Sequence, residues 1–168
     1  MQESNPEYQL RAEIGRTDVN AIAILGIGNC ARADDGFGPA VTDLLPQHIA
    51  LCVVNGGSVP ENELPRLAKA KPELVIFVDA VHSGDKPGTL RVLGPEQLRQ
   101  DDVSTHSASL TVAGKFLEES CGASCVLLSA QPADCSLGNP MSPAVTAAAQ
   151  RAADILVGIL TERGRSRS

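Results

Sequence analysis

The sequence has no tryptophan, one tyrosine and three phenylalanines, so its core must be built from Val, Ile, Leu and Ala. Those residues suit strands covered by helices on both faces. Basic residues are also short: 14 Lys and Arg against 20 Asp and Glu leave a net charge of −6. That balance argues against a general binder of phosphate backbones, which needs a basic face. No apolar run reaches the roughly 18 residues of a membrane span. Residues 1–18 are too polar for the apolar stretch of a signal peptide. The five cysteines are odd in number and lack paired-motif spacing. They read as reduced thiols of a soluble cytoplasmic protein, with Cys52, Cys121, Cys125 and Cys135 as small packing residues. At 168 residues the chain has the length of one domain that buries most of its apolar surface.

The chain is organised around the loop from Gly26 to Gly38, which follows a short apolar run at 21–25. Phe37, Ala40, Val41, Leu44 and Leu45 then fall on one helix face ended by Pro46. A second strand is expected at 51–54, and a short helix carries Leu64, Leu67 and Ala68, with Ser58 or Asn62 as its cap. The most hydrophobic stretch, 74–78, predicts the central strand, ending at Asp79-Ala80. Residues 89–93 alternate polar with apolar as an edge strand does. A helix opening at 105–107 uses Leu110, Ala113 and Leu117 and closes near Gly122, and 126–128 is the last strand. Ser142-Pro143 is a strong helix start, and apolar positions from Val145 to Leu160 hold one face for more than four turns. The expected domain is a three-layer α/β/α fold with a mostly parallel sheet over residues 19–162. Residues 1–18 are expected as a loosely held extension, tacked down by Tyr8 and Leu10, and 163–168 as a disordered tail.

In such sheets ligands bind outside the carboxyl ends of the strands, near a topological switch point. That rule selects the 26–38 loop, the 55–62 segment and Asp79. The loop satisfies a relaxed G-x-G-x-x-A pattern, but the second strand is followed by Asn55-Gly56 rather than a ribose-binding acid. Asp34 and Asp35 would also repel a pyrophosphate. A dinucleotide site is therefore disfavoured. One of the two aspartates can be a helix cap, which leaves the other unassigned. Asp79 can either receive backbone N–H groups of the next turn or serve a ligand. On the residues alone His106 reads as a half-exposed histidine at a helix start, and His48 as solvated. His82, three residues past Asp79, can face the same pocket.

These residues resemble the maturation endopeptidases of nickel–iron hydrogenases. The resemblance rests on Gly26-x-Gly28-Asn29, Asp34-Asp35-Gly36-x-Gly38, Val78-Asp79-Ala80, Pro87-Gly88-Thr89-Leu90, Thr105-His106, Gln131-Pro132 and Met141-Ser142-Pro143-x-Val145 in order. It covers residues 21 to about 160. Asn55-Gly56-Gly57-Ser58-x-Pro60-Glu61-Asn62 is similar to the subgroup serving formate-hydrogenlyase-type hydrogenases. The resemblance implies a five-stranded twisted sheet with an antiparallel edge strand at 89–93, and metal-binding positions at Asp35, Asp79 and His106. It implies no role for Cys30.

The implied activity is removal of a C-terminal peptide from the precursor of the hydrogenase large subunit, by a monomer that contacts neither nucleic acid nor membrane. Two carboxylates and an imidazole suit a borderline ion such as nickel, here expected to be supplied by the precursor and held weakly by the isolated enzyme. Two routes stay open for the bond-breaking step: Lewis-acid activation by nickel, or Asp35 or Asp79 as general base. A non-cleaving nickel-checking chaperone is the competing reading.

Overall fold

The apolar runs become five strands of one sheet, and the periodic stretches become helices on its two faces. The computed structural model describes residues 5–15, 17–98 and 107–165. The strands are β1 (Ile22–Gly26), β2 (Cys52–Asn55), β3 (Leu74–Ala80), β4 (Leu90–Leu93) and β5 (Ser124–Ala130), in the order β2-β1-β3-β5-β4. All neighbours are parallel except β4, which lies antiparallel to β5 at the edge. β3 is central and wholly buried, as its composition predicts. From β1 the chain runs outward to β2, then returns to place β3 on the other side of β1. That reversal is a switch point between β1 and β3.

The helices are α1 (Pro6–Ile14), α2 (Phe37–Leu44), α3 (Leu64–Ala70), the single turn α4 (Pro95–Leu98), α5 (Ser107–Cys121) and α6 (Pro143–Arg165). Ile22, Ile24, Ile76, Val78, Val126 and Leu128 share one core with apolar residues of α1, α2 and α6. Ala23, Leu25, Val75, Phe77 and Leu127 share the other with α3 and α5. Alternate residues of each strand feed opposite faces, as the pleat requires. The three-layer architecture follows.

Four local expectations are corrected. Residues 5–14 are no loose extension: Asn5 caps α1 by accepting from Glu7 N–H, Pro6 occupies the first helical position, and Leu10 and Ile14 are fully buried. Their i, i+4 spacing supplies one narrow apolar stripe, too short to register as a period, while Tyr8 is exposed. Neither Ser58 nor Asn62 caps α3; a 3-10 turn at Pro60–Glu63 leads into it instead. α6 continues through Arg165, into the stretch expected as tail, and residues 166–168 lie outside the described residues. β5 is longer than its apolar centre because Ser129 and Ala130 continue the ladder opposite Asp79 and Ala80. α6 is long and apolar enough to cross a membrane by length and composition. Its apolar stripe from Val145 to Leu160 is packed in the core of this fold.

Candidate active site

The loop after β1 is tied to both neighbouring strand ends. Ile27 N–H donates to Val78 O at 2.8 Å, and Gly28 N–H donates to Gly57 O at 2.9 Å. Gly28 has φ +140, and a Cβ there would run into the carbonyl oxygen of Asp35. Only glycine lets the loop fold back so closely that Asp35 returns to the strand end. The Asn29 side chain accepts from Ala31 N–H at 2.9 Å, while Asn29 N–H donates to Asp35 Oδ2 at 2.9 Å. Gly38 then seats α2 on the sheet; a Cβ there would strike the carbonyl oxygens of Val78 and Ile27.

The two adjacent aspartates separate in role. Asp34 is fully buried, and its carboxylate accepts from Ala133 N–H, Asp134 N–H, Ser142 N–H and Ser142 Oγ–H at 2.7 to 3.1 Å. Burial pushes its pKa up, but these bonds outweigh burial and hold it below the ordinary carboxylate value. The expected structural role of one aspartate holds in kind but not in place. Asp34 caps no helix of its own; it gathers a segment about a hundred residues away. Asp35, half-buried, keeps its side chain for the cleft.

Asp79 closes the arrangement from β3. It is 2 % exposed, and Oδ2 has no hydrogen-bond partner among the described residues. Burial first, and the charge of Asp35 second, raise its pKa well above the ordinary value, against a lowering backbone hydrogen bond from Ala80. Asp35 and Asp79 are thus brought together, one from each strand flanking the switch point. Beside them lies a cleft of about 420 Å³ lined by residues that follow all four parallel strands: Asn29, Arg32 and Asp35 after β1, Ser58 after β2, Ala80 and His82 at and after β3, Pro132 and Cys135 after β5.

His82 therefore faces the cleft, as its spacing from Asp79 allows. Cys135 also lines it, which corrects its assignment to plain packing; burial and the charges of Asp35 and Asp34 push its thiol pKa up. Cys30 and His48 are exposed. Cys52, Cys121 and Cys125 pack in or against the α3/α5 core as expected. His106 lies outside the described residues. Among the described residues no three His, Cys, Asp or Glu side chains form a group able to hold a metal.

Two residues support the site through contacts that the sequence reading did not anticipate. Gln131 Oε1 accepts from Ser83 N–H at 2.7 Å and Ser83 Oγ–H at 3.1 Å, while Nε2 donates to Pro132 O. It stitches the turn carrying His82 to the loop after β5. Ser142 begins α6, with its hydroxyl 3.4 Å from Val145 N, but it also donates twice to Asp34. The helix start was visible in sequence; its partner 108 residues away has no local signature.

Comparison with known proteins gives a consistent set of similarities. A family model described as hydrogenase maturation protease matches residues 42–159. The chain is 31% identical to the hydrogenase 3 maturation protease of Escherichia coli K12 over 116 residues, 65% of this chain and 71% of that protein. The crystal structure of a [NiFe] hydrogenase maturation protease, HycI, from Thermococcus kodakarensis superposes with a TM-score of 0.82 at 32% identity, covering 91% of this chain and 99% of that one. The solution structure of the endopeptidase HycI from Escherichia coli gives 0.71 at 26%, covering 82% and 90%.

Proposed function

Because the chain belongs to the hydrogenase maturation protease family, we propose that it is the endopeptidase that removes the C-terminal extension from the nickel-loaded precursor of a nickel–iron hydrogenase large subunit. The enzyme is a hydrolase, as its relatives named proteases and endopeptidases are. Likeness to the hydrogenase 3 maturation protease supports the narrower reading that the partner is of the formate-hydrogenlyase type. Free thiols at all five cysteines support work in a reducing compartment such as the cytoplasm.

One observation carries the recognition of nickel: the buried Asp79 Oδ2, without a partner among the described residues, beside a second carboxylate. A carboxylate left unsatisfied in the interior is costly. Two of them balance a divalent cation, so the pair fits an ion that arrives with the substrate. Asp35 and Asp79 would supply oxygen donors and His106 an imidazole nitrogen, a set suited to nickel. Support for His106 comes from α5, whose first described residue is Ser107. Ser109 Oγ donates to Glu61 Oε1 at 2.7 Å, so α5 begins at the end of the sheet where β2 runs out. By strand alternation Asp79 lies on the same face as Val75 and Phe77, the face α5 covers.

Bound there, nickel would supply Lewis-acid polarisation of a carbonyl. The chain's own residues handle the proton. Burial and the Asp35 charge raise the pKa of Asp79 in the metal-free site, and Asp35, the one of the pair that lines the cleft, is the group placed to accept the proton of the attacking water. Water oxygen joins the scissile carbonyl carbon, the C–N bond breaks, and the proton passes to the leaving amine. The deciding experiment incubates purified protein with nickel-loaded and nickel-free precursor. A shortened large subunit only with nickel is expected. Binding without shortening would make the protein a chaperone, and equal cleavage without nickel would remove the ion from recognition.

A further inference from the structure

The proposed reaction gives Asp34 no part, although it is the more deeply buried of the adjacent pair. Its Oδ2 accepts from Ala133 N–H at 2.7 Å, Asp134 N–H at 3.1 Å and Ser142 Oγ–H at 2.9 Å, and its Oδ1 accepts from Ser142 N–H at 2.7 Å. Its own N–H donates to Asp134 O at 2.9 Å. One residue earlier, Ala33 has φ +48, a left-handed conformation unfavourable for any residue with a Cβ. Such a torsion persists only where the surroundings over-determine it. The bonds of Asp34 are the hold nearest to it, and Asp35 is the next residue along.

We infer that Asp34 is a positioning residue for the reaction: it clamps the site loop to the 133–142 segment and so fixes where the Asp35 carboxylate stands in the cleft. This rests on the protease reading and deepens it. The clamp needs a carboxylate specifically. An asparagine can turn its oxygen toward the three donors at Oδ2 only by setting its NH2 group against Ser142 N–H, donor facing donor. The loop then shifts to relieve the contact, and Asp35 shifts with it. Asp34 does not line the cleft, so substrate affinity is not what it controls.

The test measures kcat and KM on nickel-loaded precursor for wild type, Asp34→Asn, Ser142→Ala and Ser142→Thr, at a temperature where circular dichroism shows each folded. Asp34→Asn is expected to lower kcat by about 10- to 100-fold, since misplacing a reacting group by about 1 Å can lose 100-fold, with KM unchanged within about twofold. Ser142→Ala removes one of the four bonds and is expected to lose about three- to tenfold in kcat, while Ser142→Thr, which restores the hydroxyl, stays within about twofold of wild type. A folded Asp34→Asn with wild-type kcat overturns the inference, as does a Ser142→Ala that only melts earlier. Should Asp34→Asn fail to fold, the two Ser142 variants decide. No shortening by wild type removes the protease reading itself, a result read independently of the variants.

Discussion

Asp79→Asn keeps the shape of the side chain and removes its ability to ionise. In the wild type this group is 2 % exposed, one oxygen lacks a partner among the described residues, and its pKa stands well above the ordinary value. Below the unfolded pKa of about 4 the carboxyl is neutral in both states and its titration leaves stability untouched. As pH rises past that point the unfolded chain ionises while the folded one resists, so stability falls until the folded pKa is passed. Asparagine has no such dependence. The asparagine amide leaves a polar group at the same buried position, so the difference between the two chains is that of ionisation, about 1.4 kcal/mol for each unit by which the folded pKa is raised. Near pH 8 the variant is therefore expected to be more stable than metal-free wild type by about 1–3 kcal/mol, or roughly 2–12 °C in Tm for a chain of this size. Near pH 4 the two should melt together. Calorimetry in chelator across that range measures the difference, and a parallel cleavage assay should show processing reduced at least about 100-fold. A variant less stable at pH 8, or a gain that persists unchanged at pH 4, would refute the reasoning, because Asp79 would then be a satisfied structural carboxylate.

Asp35→Asn should likewise reduce precursor cleavage at least about 100-fold. Its thermal melt should move little, since among the described residues the side chain makes one hydrogen bond, from Asn29 N–H, worth about 0.5–1.5 kcal/mol. Gly38→Ala would press a methyl group into the carbonyl oxygens of Val78 and Ile27, backbone that neither β3 nor the loop can move cheaply. Urea unfolding should show a loss of at least about 3 kcal/mol. Leu10→Ala empties a fully buried position between α1 and the sheet and should cost about 2–5 kcal/mol; an unchanged denaturation midpoint would return α1 to the status of a loose extension.

The sheet and its order of elements were legible because long apolar runs between turn residues have few alternative readings. The Asp34-Asp35 pair and Asp79 were legible as candidates from position, since the switch-point rule selects the loop after β1 and the end of β3; the choice of Asp35 within the pair came from the family resemblance. What stayed hidden depends on contacts distant in sequence. Leu10 and Ile14 make two apolar positions in a polar helix, too weak a signal until the core that receives them is known. Gln131 reads as a polar residue after a strand until Ser83 is placed beside it. Cys135 has the chemistry of a packing thiol, and only the path of the chain after β5 turns it toward the cleft. Asp34 and Asp35 are identical in composition and adjacent in sequence, so no local rule can distinguish them.

What distinguishes them is how their hydrogen-bonding capacity is used. Asp34 meets four donors, so its charge is compensated by fixed dipoles and no cation is needed there. Asp79 has the opposite balance: deeper than the cleft lining, short of a partner among the described residues, and burdened by a neighbour of like charge. A fold selected only for stability would give that oxygen a donor. On the nickel reading proposed above, the protein takes up a cation with its substrate and releases it with the product, and a permanent donor would compete with that ion at every turnover. Its resting state then needs something that leaves easily, and the raised pKa of Asp79 favours a proton in that place. The same reasoning requires the neighbouring loop to be rigid, since a mobile Asp35 could move out to solvent and relieve the repulsion on which the raised pKa of Asp79 partly depends. The saturated carboxylate and the deficient one are therefore two parts of one device, the first holding in place the charge that keeps the second ready.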